Sequence, residues 1–141
     1  MTIKDKENAL VEEFAMFDEW MDKYSYLIEL GKEMPLIDEK YKDPQHLISG
    51  CQSRVWLYAE MKDGKIHFTA DSDAVITKGI ASLLLRVVSG ETPSDITNAN
   101  FEFLERIGLK EHLSPTRANG LVSMVKQIQL YAKAFKLKNL S

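Results

Sequence analysis

Cysteine is almost absent from this sequence, and basic residues do not outnumber acidic ones. Its 141 residues contain one cysteine, Cys51, so no intrachain disulfide can form, as is usual in a reducing compartment. The 18 lysines and arginines face 21 acidic residues, and the net charge of −3 argues against binding to a nucleic-acid backbone. The three histidines are scattered along the chain, which does not match the clustered ligands of zinc or iron–sulfur sites.

Long hydrophobic runs are also missing. Residues 1–7 contain no apolar segment of the secretory type, and the run around Leu83-Leu84-Leu85 is far too short to cross a bilayer. We therefore expect a cytoplasmic protein without a membrane partner. The length fits a single domain, residues 1–141, that is large enough to bury a core.

The first third of the chain has helical periodicity. Apolar residues at steps of three or four predict a helix over residues 5–30. Asp18 is expected to cap a second helix, with a break near it, and Gly31 is expected to end the pattern. Residues 32–46, which contain two prolines, predict an irregular connection with short turns that leads to the cysteine.

A β-hairpin is predicted in the middle of the chain. Apolar and polar residues alternate over 54–61 and 65–70, the pattern of two half-buried strands. Asp63-Gly64 between them is typical of a type I′ turn, in which both positions need positive φ. A two-residue turn would place Arg54 opposite Asp73 and so bring Asp73 to the cysteine end of the hairpin.

Capping signals mark the helices of the second half. Asp73 or a neighbour is expected to cap a helix with an apolar stripe, and Thr92-Pro93 begins a short one. Another ends at Gly108, and Ser114-Pro115 begins the last and longest helix. The expected fold is α+β, with a small antiparallel β-sheet packed against several helices and a long C-terminal helix.

Cys51 lies at a corner that suits a reactive group. Gly50 before it tolerates backbone angles that turn the next residue outward. A lone thiol at such a corner is a candidate nucleophile, whereas an unpaired cysteine elsewhere is usually a small buried hydrophobe. The local residues leave both interpretations open, because the reactivity of a thiol depends on its surroundings.

Four motifs follow one another in order between about Trp20 and Met124. They are Trp20-x-x-Lys23-Tyr24 with Leu30-Gly31, Gly50-Cys51-Gln52-Ser53-x-Val55-Trp56, Asp71-Ser72-Asp73-Ala74 with Lys78-Gly79, and Arg117-x-x-Gly120-Leu121. Together they resemble the SufE family of sulfur-acceptor proteins, which work with cysteine desulfurases. Arg54 departs from the family pattern, because glutamine is more often expected at that position.

The resemblance implies a function. Cys51 would accept sulfane sulfur, as a persulfide, from a cysteine desulfurase of the SufS type and would stimulate that enzyme. The sulfur would then pass to an Fe–S scaffold of the SufBCD type. Pyridoxal phosphate belongs to the desulfurase, so no cofactor of the chain's own is expected. A homodimer is left open.

The resemblance also implies a partner-facing surface around the thiol. Its members besides Cys51 are Gly50, Gln52, Ser53, Arg54, Asp73 and Arg117. Arg54, or Arg117 if the fold brings it close, is expected to lower the pKa of Cys51 by favouring the thiolate. An ion pair between Arg54 and Asp73 is expected to offset the opposite effect of the aspartate.

Two further expectations concern the thiol. Leu47, Ile48 and Trp56 are expected to shield it at rest. The alternative function is a stand-alone cysteine-nucleophile enzyme, either a hydrolase with His46 or His112 as base or a thiol peroxidase that needs an external resolving thiol.

Overall fold

Seven α-helices and one two-stranded antiparallel sheet make up the described part of the chain, residues 1–140 of a computed structural model, with side chains described through Lys138. Strands β1 and β2 span Val55–Lys62 and Lys65–Ser72. The helices are α1 (Ile3–Ala15), α2 (Trp20–Lys32), α3 (Val75–Val88), α4 (Pro93–Asn98), α5 (Phe103–Ile107), α6 (Leu109–His112) and α7 (Pro115–Leu140). The predicted α+β class and long C-terminal helix are confirmed.

The hairpin has the predicted register. Asp63 and Gly64 have φ values of 54° and 78°, so both turn positions are left-handed, as a type I′ turn requires. Lys62 pairs with Lys65, and the ladder runs back to Val55 opposite Ser72. Alternate side chains of β1 therefore face the core, while the others form the outer face of the sheet.

The predicted break in the first helical region is present, but its cap is not Asp18. Helix α1 ends at Ala15 and α2 begins at Trp20. Glu19 occupies the N-cap position of α2, and no side chain there makes a capping hydrogen bond. The break is instead fixed by packing, since the α1 residue Phe14 is buried and meets Tyr26 of α2 edge to face.

The connection after α2 is irregular, as predicted. It contains two short 3-10 helices, Glu39–Tyr41 and Pro44–His46. Their turns hold the connection against the outer face of the hairpin, where the ring of Tyr41 stacks on that of Tyr58 with centroids 3.9 Å apart. The connection thus delivers the chain to the cysteine from outside the sheet.

Gly31 does not end α2, which continues to Lys32. It lies where α2 crosses α3, and a Cβ atom on it would come within 3.0 Å of the backbone nitrogen of Gly79. On the other side of this crossing, a Cβ on Gly79 would collide with the backbone carbonyl of Leu27. The hydroxyl of Ser82 donates to the carbonyl of Leu30 nearby, at 2.6 Å. Two glycines therefore let the helix backbones touch.

Helix α3 is the centre of the core. Most of its residues are buried, and it packs against α2, β2 and α7. Its N-cap is Ala74 and not Asp73, and no side chain caps it through a hydrogen bond to its first turn. Ser72 Oγ instead accepts from the backbone N–H of Ala74, at 3.3 Å.

The caps of the later helices match the sequence. Thr92 Oγ1 accepts from the N–H of Asp95 at 3.2 Å, and Ser114 Oγ accepts from that of Arg117 at 3.3 Å. Gly108, at φ 78°, ends α5. Within residues 1–140, no helix combines the length and the apolarity that a membrane crossing requires.

Replacing Gly79 with alanine is expected to reduce the free energy of unfolding by at least about 2 kcal/mol, because α2 and α3 must separate to admit the methyl group. Urea unfolding measures the loss. Gly64→Ala is the control: a Cβ there meets no atom within 4 Å. This control substitution costs only about 1 kcal/mol, the strain of placing alanine at a left-handed backbone angle. Equal losses in the two variants would contradict the close approach of the helices.

Candidate functional site

The thiol lies in a loop whose base is closed on two sides. The N–H of Ile48 donates to the carbonyl of Val55 at 2.8 Å, which closes residues 49–54 into a loop. On the other side, the N–H of Asp73 donates to the carbonyl of Arg54 at 3.3 Å. Cys51 is therefore presented by a short loop that is anchored to the end of the hairpin.

Asp73 does reach the base of this loop, but not through the predicted ion pair. Its Oδ1 accepts from the backbone N–H of Arg54 at 3.0 Å. Both side chains belong to exposed residues, and no ion pair joins them within the described part of the chain. The carboxylate thus fixes the backbone of the loop and leaves the Arg54 guanidinium in solvent.

Asp71, two residues earlier, ties three elements together. Its carboxylate lies 2.7 Å from Lys42 Nζ, on the irregular connection, and 3.4 Å from Lys78 Nζ, on α3. Burial alone would raise the pKa of Asp71, but the hydrogen bond from Lys42 and the charge of Lys78 hold it below its ordinary value. This network supports the end of the hairpin from which the loop projects.

Two glycines seat the loop on the first turns of α7. Gly50 has φ 89°, a left-handed angle that favours glycine, and a Cβ on it would collide with the hydroxyl of Ser123. Cys51 Sγ lies 3.6 Å from the carbonyl oxygen of Gly120. A Cβ on Gly120 would also come within 3.6 Å of the sulfur, an ordinary contact distance. The loop and the helix therefore meet closely at the thiol.

Cys51 is half-buried and lines a cavity of about 340 Å³. The lining comes from three segments that are far apart in the sequence. It consists of Cys51, Gln52 and Ser53 from the loop, Thr77 from α3, Ser114 just before α7, and Thr116, Arg117, Gly120 and Met124 from α7. Leu47, Ile48 and Trp56, which were predicted to shield the thiol, do not line this cavity.

The residues named from the sequence are only partly brought together. Gln52, Ser53 and Arg117 share the cavity with Cys51, and Gly50 adjoins it. Arg54 and Asp73 lie at the base of the loop instead. Sequence reasoning missed Thr77, Ser114, Thr116 and Met124 as neighbours of the thiol. Ser114 was recognisable only as a helix cap, and no local signal indicates that any of the four meets the cysteine.

The electrostatic expectation for the thiol is also wrong. Burial raises the pKa of Cys51 above its ordinary value. Neither Arg54 nor Arg117 reverses this effect, although Arg117 lines the same cavity. In the isolated protein the thiol therefore holds its proton more firmly than a free cysteine does.

The histidines do not support a hydrolase. None of them lines the cysteine cavity as the structure describes it. His46 Nδ1 bonds Asp43 Oδ1 at 2.8 Å, and the ring of His112 stacks on that of Trp20 with centroids 3.8 Å apart. Among residues 1–140, no group of three or more His, Cys, Asp or Glu side chains could hold a metal ion.

The fold and the site define a small α+β protein that offers one half-buried thiol in a polar cavity. Comparison with known proteins makes this specific. The model of the SufE family, described as an Fe–S metabolism associated domain, matches residues 8–132. The chain therefore belongs to the SufE family, whose members act in sulfur transfer within Fe–S metabolism.

Two relatives agree with this membership, and a solved structure shares the fold. An uncharacterized SufE-like protein of Rhizobium meliloti is 39% identical over 131 residues, which cover 89% of this chain and 94% of that protein. One of Rhizobium etli is 40% identical over 131 residues, with 89% and 88% covered. The solution structure of a hypothetical protein from Thermus thermophilus superposes with a TM-score of 0.76, covers 92% of this chain and 94% of its own, and is 21% identical; it shows the fold alone.

The alkylation of Cys51 should depend on pH differently in the folded and unfolded chains. Iodoacetamide consumes the thiolate, so the rate should inflect at higher pH in the folded protein, because burial raises the pKa of Cys51. Each unit of difference leaves about tenfold less thiolate. Intact mass against time, over neutral to alkaline pH, measures both rates, with the urea-unfolded chain as the control. A folded-state inflection at or below the unfolded one would contradict the raised pKa.

The same shift has a consequence for stability. Below the pKa of the unfolded thiol both states are protonated, and the thiol has no effect on stability. Above it the unfolded chain loses the proton first, so the free energy of unfolding falls as the pH rises towards the folded pKa.

Proposed function

We propose that this protein accepts sulfane sulfur from a cysteine desulfurase as a persulfide on Cys51 and delivers it to an Fe–S assembly scaffold. One observation carries the proposal. Cys51 and Gly120, from two family motifs that lie 69 residues apart in the sequence, meet at the only thiol of the chain. Arg117, from the same motif as Gly120, lines the cavity beside them.

The proposed step is an exchange at divalent sulfur. The Cys51 thiolate attacks the terminal sulfur of the desulfurase persulfide. A new S–S bond forms to Cys51, and the old one breaks to release the desulfurase cysteine as a thiolate, which takes up a proton. No electrons are gained or lost overall. Delivery to the scaffold is the same exchange, with Cys51 as the leaving thiolate.

The absence of a second cysteine in the sequence suits a carrier. A neighbouring thiol could attack the persulfide on Cys51, form a disulfide and release sulfide. With one thiol in the chain, the bound sulfur can leave only to an external thiol or reductant. The polar cavity at the start of α7 offers space next to Cys51 Sγ for the additional sulfur atom.

The raised pKa of Cys51 supports a two-stage use of the thiol. At rest, the seated loop keeps the thiol protonated and half-buried, which limits oxidation as well as transfer. The desulfurase would draw the loop away from α7, expose the sulfur and lower its pKa towards the ordinary value. The contacts to be broken include those of Gly50 and Cys51 with α7.

Incubation with a cysteine desulfurase and cysteine should add the mass of one sulfur atom to the wild-type protein and none to Cys51→Ser. The serine hydroxyl forms no persulfide, because the exchange transfers the terminal sulfur atom only to a thiolate. Intact-mass spectrometry, with and without a reductant, measures the adduct. Desulfurase turnover should rise with wild type and not with Cys51→Ser. Equal stimulation by the serine variant would indicate a structural adaptor instead of a carrier.

Docking should expose the thiol. A desulfurase whose own nucleophilic cysteine is replaced by serine is expected to speed the alkylation of Cys51 severalfold, because it releases the loop from α7. Gly120→Ala is the matched variant: its methyl group makes an ordinary contact with the sulfur and adds about 0.5–1 kcal/mol of helix stability. It should slow alkylation of the free protein and respond more strongly to the partner. If the desulfurase leaves the alkylation rate of Cys51 unchanged in both proteins, the proposed release of the loop from α7 is contradicted.

A further inference from the structure

The cavity beside Cys51 is lined by groups that can donate hydrogen bonds. Its polar side chains are one amide, four hydroxyls and one guanidinium, contributed by Gln52, Ser53, Thr77, Ser114, Thr116 and Arg117. No aspartate or glutamate lines it in the part of the chain that the structure describes. The guanidinium of Arg117 makes no ion pair among the described residues. Donors and positive charge without a carboxylate favour a negatively charged ligand.

Thr77 is the buried polar member of this lining. It is 6% exposed, and its hydroxyl makes no hydrogen bond to another described residue. Glu7 Oε2 is the only side-chain oxygen or nitrogen of the described residues that is both sealed from solvent and without a partner. The Thr77 hydroxyl therefore keeps some accessible surface, which opens into the cavity that Thr77 lines. A hydroxyl in this position is free to donate to a ligand.

Helix α7, with 26 residues, begins at the same cavity. Ser114 Oγ accepts from the N–H of Arg117 at 3.3 Å, so the proton of the Ser114 hydroxyl remains free to be donated. Proline at position 115 has no N–H, and the N–H of Thr116 has no acceptor within the helix. The positive end of the helix dipole favours an anion at this place. A second helix, α3, thus supplies the Thr77 hydroxyl to a cavity that already suits an oxyanion.

The thiol itself does not use these donors. Cys51 Sγ lies 3.6 Å from the carbonyl oxygen of Gly120, which is an acceptor for its proton. Burial raises the pKa of Cys51, and the charge of Arg117 does not reverse this effect. The donors around the cavity are therefore left for a second molecule that lies next to the sulfur.

A sulfur oxyanion suits both the donors and the thiol. Sulfonate oxygens accept hydrogen bonds from hydroxyl, backbone N–H and guanidinium groups. Thiosulfate carries a sulfonate at one end and, at the other, the sulfane sulfur that Cys51 is proposed to take up. Its five heavy atoms need the space of a few water molecules, each of about 30 Å³. The cavity, of about 340 Å³, has room for it.

We propose that the cavity beside Cys51 binds thiosulfate, with the sulfonate held by Thr77, Arg117 and the first turn of α7 and the outer sulfur next to Cys51, so that the protein is also loaded without a desulfurase. This activity rests on the proposed function in one respect, that Cys51 holds sulfane sulfur. It adds a second donor, a small anion.

The transfer needs no added oxidant or reductant. Cys51 releases its proton to solvent, and the thiolate attacks the outer sulfur of thiosulfate. A new S–S bond forms to Cys51, and the S–S bond of thiosulfate breaks, with its electron pair leaving on sulfite. In an assay, cyanide removes the outer sulfur of the persulfide as thiocyanate and regenerates the Cys51 thiolate.

Thiocyanate formation from thiosulfate and cyanide, measured at mildly alkaline pH on the full-length protein, tests the site. The rate should saturate in the millimolar range of thiosulfate, and Cys51→Ser should abolish it. Sulfate, an anion without sulfane sulfur, should raise the KM for thiosulfate severalfold and leave kcat unchanged. Sodium chloride at equal ionic strength should change KM less than twofold. A rate that stays linear in thiosulfate, or that sulfate does not inhibit, would overturn the proposal.

Two valine variants isolate the contribution of the Thr77 hydroxyl. Valine keeps the shape of threonine and removes the hydroxyl. Thr77→Val should raise the KM for thiosulfate at least fivefold and leave kcat within twofold, because a hydrogen bond to a charged ligand is lost from the bound state and the transition state alike. Thr69→Val, on the outer face of the hairpin, should change neither constant. Equal KM values in the two variants would contradict the role of Thr77.

Thermal unfolding establishes that both variants are folded. If Thr77→Val is not, the competition by sulfate in the wild-type protein decides. The result is also separable from that for the desulfurase. A sulfur adduct formed with desulfurase and cysteine, but no thiocyanate from thiosulfate, would remove only the second donor. No adduct on Cys51 from either donor would remove both proposals.

Discussion

The close seating of the Cys51 loop on α7 is the contact on which the site depends. It requires a glycine at position 50, because a Cβ there would collide with the hydroxyl of Ser123, whereas a Cβ on Gly120 would reach only ordinary contact distance from the sulfur. The same contact sets the exposure of the thiol, and burial in turn raises the pKa of Cys51. Geometry and reactivity are therefore governed by one interface.

The rest of the fold holds the two sides of that interface in place. The hairpin fixes the loop from one side through Ile48 and Val55, and Asp73 fixes it from the other through the backbone of Arg54. Helix α3, buried against α2, β2 and α7, sets the distance between the hairpin and α7. The glycine crossing of α2 and α3 contributes indirectly, because a wider crossing would displace α3 and with it the floor of the cavity.

The sequence predicted those features that depend only on residues close together in the chain. The two residues of the Asp63-Gly64 turn specify the hairpin register, so the meeting of Arg54 and Asp73 could be foreseen from the sequence. The register does not say which donor the carboxylate takes, and it took the backbone N–H. Glycine often ends a helix, and Gly31 was predicted to do so. It lies instead inside α2, where its lack of a side chain allows the close contact with α3. The polar neighbours of the thiol and its raised pKa depend on packing between distant segments, which periodicity does not encode. The cysteine itself was identified by family resemblance.

Helix α7 has 26 residues, and only its first turns take part in the cavity. At 1.5 Å per residue, its exposed residue Leu137 lies roughly 25 Å along the axis from Gly120. A reporter or tether attached near Leu137 would therefore stand well clear of the sulfur. Because the native chain has one thiol, Cys51 and a site near Leu137 can be labelled by different chemistries. The distance between the two labels then reports any displacement of the cysteine loop from α7.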